Sequence, residues 1–215
     1  MSLTRNWQLS PKEIFAMGPI VPVLVIKKVE DALPIARALL AGGIKVLEVT
    51  LRTPAALDVI KIIADELPEA CIGAGTVTTR EMLQRCQDAG AKFAISPGLT
   101  KDLLQAGNEG NIALIPGISS ISEMMDGIDS GYDHVKFFPA EASGGVKAIQ
   151  SIGGPFPDIR ICPTGGINLS NVSNYLALPN IACCGGSWLV TDEIVKNKDW
   201  SKITELAEQA LAHVK

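Results

Sequence analysis

Residues 133–141 read DHVKFFPAE. β-Branched and aromatic side chains crowd the stretch and a proline follows, the pattern of a short strand. Yet Lys136 sits in its middle, between Val135 and Phe137. Lysine is depleted from strands and is seldom fully buried unless it is paired or used. Successive strand side chains point to opposite faces, so Val135 and Phe137 share one face and His134, Lys136 and Phe138 the other. Helices packed outside a sheet demand the apolar face, which turns the lysine inward. VLEVTLR (46–52) repeats the arrangement, with Leu47, Val49 and Leu51 on one face and Glu48, Thr50 and Arg52 on the other. Thr76 extends the polar set on the third strand, and Cys162 and Thr164 extend it on the seventh. In a barrel these faces converge on one lumen, and residues at the C-terminal strand ends carry the chemistry.

The rest of the chain supplies the strands and helices for such a barrel. Ser10, Pro11 and Glu13 read as an N-cap, a first-turn proline and the N3 partner of a capping box. VPVLVIK is then a strand and EDALPIARALLAGG a helix; VLEVTL is followed by a helix starting at Pro54. CIGAGTV, FAISP, ALIPG, HVKFFP, RICPTGG and IACCGGSWLV are the later strands, each followed by a helical segment. Thr78 with Glu81, and Ser120 with Glu123, read as further capping boxes. About eight units of roughly 20 to 25 residues are enough for one parallel crossover each. The expected fold is α/β, a single (β/α)8 TIM barrel over residues 1–215 with an extra N-terminal helix. Residues 1–9 are expected to be a flexible lead that includes a tag scar. An open doubly wound sheet is the rival, but no G-x-G-x-x-G follows the first strand.

Composition narrows the function. With 47% hydrophobic and 20% charged residues the chain affords a large core. A net charge of −4 leaves no basic stripe for nucleic acid. No run reaches the roughly 18 apolar residues of a membrane span, and MSLTRNWQLSPKE has no signal-peptide core. Five cysteines without a C-x-x-C read as core residues of a reduced, cytoplasmic protein. His134 and His213 join no ligand cluster, so neither a metal nor a cofactor is expected.

A buried amine is disfavoured as the charged form, and the neutral amine attacks carbonyls to form Schiff bases. The blander alternative is a structural Lys136–Glu48 ion pair. Lys27 and Lys28 read as solvated, and Lys45 and Lys92 precede their strands, at the wrong end for catalysis. Thr164-Gly165-Gly166 and Gly185-Gly186-Ser187 fall in the two loops where this barrel recurrently binds phosphate, and successive glycine amides can cradle an anion. Tight turns without a ligand are the competing reading. Gly73-Ala74-Gly75-Thr76 lacks the Gly-Lys-Ser/Thr ending of a P-loop, and its glycines read as room in the lumen.

The motifs VLEVTLRT, GAGTV, FAISPG, LIPGI, KFFPAE, CPTGGI and GGSWLV occur in that order over nearly the whole chain. Together they resemble the bacterial 2-keto-3-deoxy-6-phosphogluconate (KDPG) aldolases, also called KHG/KDPG aldolases. The resemblance implies a homotrimeric class I aldolase of the Entner–Doudoroff pathway. Its substrate would be a phosphorylated keto acid, 2-dehydro-3-deoxy-6-phosphogluconate, cleaved to pyruvate and glyceraldehyde 3-phosphate. Many members also cleave 4-hydroxy-2-oxoglutarate. It implies Lys136 as the Schiff-base lysine, Glu48 as the proton-transferring acid and Arg52 and Thr76 as partners of the pyruvyl carboxylate. Pro97 and Phe138 would line the pocket, with Thr164 at its edge, and Gly165, Gly166 and Ser187 would match the phosphate segments, with Gly185 and Gly186 beside them. Ser143 departs from the asparagine of many relatives. Three other readings remain: preference for the galactonate-derived epimer, a phosphosugar isomerase or synthase on the same barrel, and a non-catalytic sugar-phosphate sensor.

Overall fold

The protein is represented by a computed structural model that describes residues 5–214. Helix α1 (Pro11–Ala16) opens the chain. It is followed by β1 (Ile20–Leu24), α2 (Ala32–Ala41), β2 (Val46–Thr50), α3 (Ala56–Glu66), β3 (Cys71–Gly75), α4 (Arg80–Asp88), β4 (Phe93–Ile95) and α5 (Lys101–Glu109). Then come β5 (Ala113–Ile115), β6 (Gly117–Ile118), α6 (Ile121–Asp129), β7 (His134–Phe137), α7 (Gly145–Gly153), β8 (Arg160–Pro163), α8 (Val172–Leu176), β9 (Cys184–Gly186), α9 (Asp192–Lys196) and α10 (Trp200–His213).

The fold is α/β. A curled sheet of six parallel strands runs β5-β4-β3-β2-β1-β9, and a second parallel sheet runs β6-β7-β8. Only Pro116 separates β5 from β6; with no N–H to give the ladder, it interrupts the pairing there. Its carbonyl still accepts the Lys136 amide at 2.9 Å. Isolated parallel bridges, Ile161↔Ile181 and Thr164↔Gly185, join β8 to the segment that forms β9.

The alternation read from the sequence sorts the core. Leu47, Val49, Ile72 and Ala74 face outward into one cluster with Ile35, Leu39, Val59, Ile60 and Ile63 of the covering helices. Val21, Val46, Cys71, Phe93, Ile95, Ala113, Ile115, Cys162 and Cys183 form a separate cluster on the inner face. Ile14 and Phe15 of α1 belong to that cluster, so α1 closes the N-terminal end of the strands. Each large side chain so buried contributes roughly 1.5–3 kcal/mol.

Several expectations need correction. The capping box expected from Thr78 and Glu81 does not form: Thr79 is the N-cap of α4 and accepts from the Met82 amide with no carboxylate at N3 to reciprocate, while the Thr78 hydroxyl turns to the Met82 sulfur. Two adjacent threonines offer the same chemistry, and the extended backbone at Thr79 decides between them. The third helix starts at Ala56 rather than at Pro54, because residues 51–55 form a turn. The last strand keeps only Cys184–Gly186, and the connection after it holds the unforeseen α9, capped by Thr191. Residues 1–4, part of the lead expected to be flexible, lie outside the described residues; residues 5–9 are pinned. Arg5 lies over the rings of Trp7 and Tyr132 and donates to the Gly131 carbonyl, and Trp7 Nε1 donates to the Gly107 carbonyl, both at 2.8 Å. Here two aromatic rings give an arginine a cation–π seat. All five cysteines are free and buried.

Candidate active site

Register brings the two inward charges together. Glu48 pairs across to Val23 of β1 and Gly73 of β3, and Lys136 pairs across to Gly117 of β6 and Cys162 of β8. Lys136 Nζ donates to Glu48 Oε1 at 3.2 Å, with only 6% of the lysine and 1% of the glutamate exposed. Gly75 makes room for this: a Cβ there would fall on the Glu48 carboxylate. Taking two charges out of water costs several kcal/mol per ion unless they are well paired, so such a pair is retained for more than stability. The Phe138 ring stands over the amine, its centroid 5.4 Å from Nζ.

The remaining expected residues lie at or just beyond the C-terminal strand ends. Thr76 follows β3 with φ +63°, a left-handed conformation that a β-branched residue adopts only under constraint from its surroundings. The Gly75 carbonyl accepts from Leu51, and Val77 donates to Ile95, which places Thr76 between the turn carrying Arg52 and the Ser96–Pro97 segment. Thr50 and Thr53 hydroxyls tie the Arg52 turn to the Leu24 and Ile26 carbonyls at 2.9 and 2.6 Å. Arg52 itself stands exposed and pairs with no carboxylate among the described residues. Pro97 lies against Gly117, whose amide donates to the buried Ser96 hydroxyl at 3.1 Å.

The two glycine pairs meet through the Thr164↔Gly185 bridge. Gly165 and Gly166 have φ of +104° and +80°. The Thr164 and Gly165 carbonyls accept from Ala140 and Glu141, and the Gly166 carbonyl accepts from Asn171. Neither the Gly165 nor the Gly166 amide donates to an acceptor among the described residues, so both remain for an anion. Thr164 Oγ1 is buried against Gly185 without a hydrogen-bond partner among the described residues, which is costly unless a ligand completes it. Ser187 is exposed just past Gly186. Below the lysine, burial and then a hydrogen bond with Cys162 push the Cys183 thiol up, so it stays protonated and does not compete as a nucleophile. His134 lies at the opposite end, with Nδ1 2.7 Å from Asp133 Oδ1, its ring beside Phe15. No group of three His, Cys, Asp or Glu among the described residues is placed to hold a metal, and no described helix is long and apolar enough to cross a membrane.

Of the residues singled out from the sequence, the structure brings Lys136 and Glu48 into contact and sets Thr164 against Gly185. Sequence reasoning missed the threonine ties, the Ser96 hydroxyl and the strain at Thr76. Of these only Ser96, set before a proline at a strand end, left a trace in the sequence.

The family model for KDPG and KHG aldolases matches residues 12–206. A 2-dehydro-3-deoxy-phosphogluconate aldolase from Pseudoalteromonas atlantica is 67% identical, over 98% of this chain and 98% of that one. The KHG/KDPG aldolase of Escherichia coli is 55% identical, over 98% of this chain and 99% of its own length. A crystal structure of the Legionella pneumophila KDPG aldolase, with pyruvate captured at low pH as a covalent carbinolamine, superposes with a TM-score of 0.94 at 53% identity. It covers 95% of this chain and 100% of that one. On its sequence, on its fold and on the motifs that carry its inward lysine and glutamate, the chain belongs to the KDPG and KHG aldolase family.

Proposed function

We propose that the protein is a class I aldehyde-lyase that cleaves 2-dehydro-3-deoxy-6-phosphogluconate to pyruvate and glyceraldehyde 3-phosphate, and 4-hydroxy-2-oxoglutarate to pyruvate and glyoxylate. The observation that carries this is the buried Lys136 amine 3.2 Å from the buried Glu48 carboxylate. Glu48 takes a proton from the Lys136 ammonium, and the freed amine attacks the C2 carbonyl to give a carbinolamine. Glu48 returns that proton to the departing hydroxyl, so that water leaves, an iminium remains and Glu48 is again a carboxylate. That iminium is an electron sink. Glu48, directly or through a water, takes the proton of the C4 hydroxyl; the C3–C4 bond breaks, the aldehyde leaves and its electron pair becomes the enamine. Glu48 returns the proton to C3, and hydrolysis of the iminium frees pyruvate and the lysine. One group serving both directions is efficient because each step leaves it ready for the next. Arg52 and Thr76 hold the carboxylate and so aim the carbonyl at Nζ. Pro97 and Phe138 wall the pocket, and Thr164 offers its orphan hydroxyl to the bound chain. The amides of Gly165 and Gly166, with Gly185, Gly186 and Ser187, take the phosphate, whose binding energy positions the reacting carbons.

The scaffold for this is a single-domain closed barrel of eight strand positions, with β5 and β6 acting as one strand bent at Pro116. The bridges from β8 to the β9 segment support closure. A homotrimer fits the exposed apolar stripe on α6, where Ile121, Met125 and Ile128 recur at helical spacing. The chemistry suits a reduced cytoplasm, where five free thiols persist.

Borohydride trapping with pyruvate, followed by mass mapping, tests the lysine: an adduct on Lys136 is expected, and one on Lys27 or Lys28 overturns the assignment. A lactate dehydrogenase-coupled assay on the two substrates tests turnover; a sensor protein releases no pyruvate.

A further inference from the structure

We infer that Tyr175 is a positioning residue that tethers the Glu141 carboxylate away from the Gly165–Gly166 amides and so keeps that loop receptive to a phosphate dianion. The inference rests on the phosphate reading of the loop given above. Tyr175, on α8, is fully buried, and its hydroxyl donates to Glu141 Oε1. A tyrosine so buried needs a partner for its hydroxyl, and this one finds an acceptor from a residue otherwise exposed. Burial, then the bond to Glu141, pushes the Tyr175 hydroxyl up from its ordinary range, so it remains a donor at any physiological pH.

Glu141 is bound up with the loop at every level. Its amide donates to the Gly165 carbonyl at 3.1 Å. Its Cβ and Cγ pack against Gly166, where an added Cβ would lie only 2.7 and 2.6 Å from them. Asn171 and Asn168 hold the Gly166 carbonyl at 3.1 and 3.4 Å. The loop is thus fixed through its carbonyls while its amides stay free. Only the Cβ and Cγ of Glu141 lie close to Gly166; the carboxylate is turned from it, and its oxygen meets the Tyr175 hydroxyl rather than the free glycine amides. Gly145 leaves the space: a Cβ there would sit 3.2 Å from both Glu141 Oε1 and the Tyr175 hydroxyl. Untethered, the carboxylate competes for the amides and repels an incoming dianion at short range.

The test uses the full-length protein and two substrates, 2-dehydro-3-deoxy-6-phosphogluconate and the unphosphorylated 4-hydroxy-2-oxoglutarate. In Tyr175→Phe the KM for the phosphorylated substrate is expected to rise about tenfold, the scale of one hydrogen bond to a charged group, while its kcat holds. Both constants for the unphosphorylated substrate are expected to hold. Glu141→Gln in the Tyr175→Phe background is expected to recover most of the loss, because the competing charge is gone. Gly145→Ala crowds the same contact from the other side at a φ of +59° that also strains an alanine, so there the readout is the split between substrates: a KM rise confined to the phosphorylated one is expected if Tyr175→Phe does not fold. Equal losses on the two substrates, an unchanged KM, or no recovery in the double variant overturns the tether and leaves the phosphate site standing. If the wild-type protein does not favour the phosphorylated substrate and inorganic phosphate does not compete with it, the phosphate site falls and the tether with it.

Discussion

The two ends of the inner face are built from the same strands to opposite specifications. At the N-terminal end, Val46, Cys71 and Cys183 belong to one apolar cluster with Ile14 and Phe15. At the C-terminal end the same strands carry Glu48, Thr76, Lys136 and Thr164: two charges, a residue in a left-handed conformation and a buried hydroxyl without a partner. The floor is arranged for stability, whereas the mouth holds features that cost stability and make sense only with a ligand. Substitutions at one end should therefore read out in folding and at the other in turnover.

The largest effect is expected at the lysine. Lys136→Ala should lower pyruvate release on the order of 10⁴-fold or more, because the covalent route is lost. It should also abolish the borohydride adduct. Glu48→Gln should slow cleavage by about 10³-fold, within the range of general acid–base catalysis, while pyruvate still forms the imine. Full activity in that variant removes Glu48 from its role. Phe15→Ala should show the opposite signature, a loss of about 3–5 kcal/mol in urea denaturation with KM unchanged. A KM that moves with Phe15 would mean that the two ends are not separable. Thr76→Gly should relieve the positive φ and gain up to about 1 kcal/mol while KM for pyruvate-forming substrates rises, a trade of function for stability. A loss of stability there would show that Thr76 is not strained.

The smallest effect concerns alkaline pH. Burial pushes the Cys71 thiol up from 9.0 to about 11 and the Cys86 thiol up to about 12. The native state therefore holds these protons more tightly than the unfolded chain does. The stability they contribute is intact below pH 9 and is lost as pH rises through about 11 to 12. The urea midpoint should stay level below pH 9 and fall from there up to about 12.

The α/β alternation with parallel strands and the inward lysine and glutamate were legible because both rest on periodicity. A lysine and a glutamate, each flanked by outward apolar residues at spacing two, declare their face without any coordinates. Loop chemistry was less legible. Thr78 and Thr79 look alike to a capping rule, and only the local backbone chooses between them. Pro116 was visible, but its effect on sheet pairing depends on which neighbour each half of the strand meets. Arg5 to Leu9 read as a loose tail because the seat for Arg5 is assembled from Trp7 and Tyr132, which are far apart in sequence. The Tyr175–Glu141 contact joins residues 34 positions apart, one on the five-residue α8 and one in a turn, where no period points to it.

The α1 plug has a consequence for traffic. With Ile14 and Phe15 packed across the N-terminal ends of the strands, the proposed reactant and departing aldehyde both pass at the C-terminal end. In the proposed reaction pyruvate stays joined to Lys136 until the iminium is hydrolysed, so it leaves after the aldehyde.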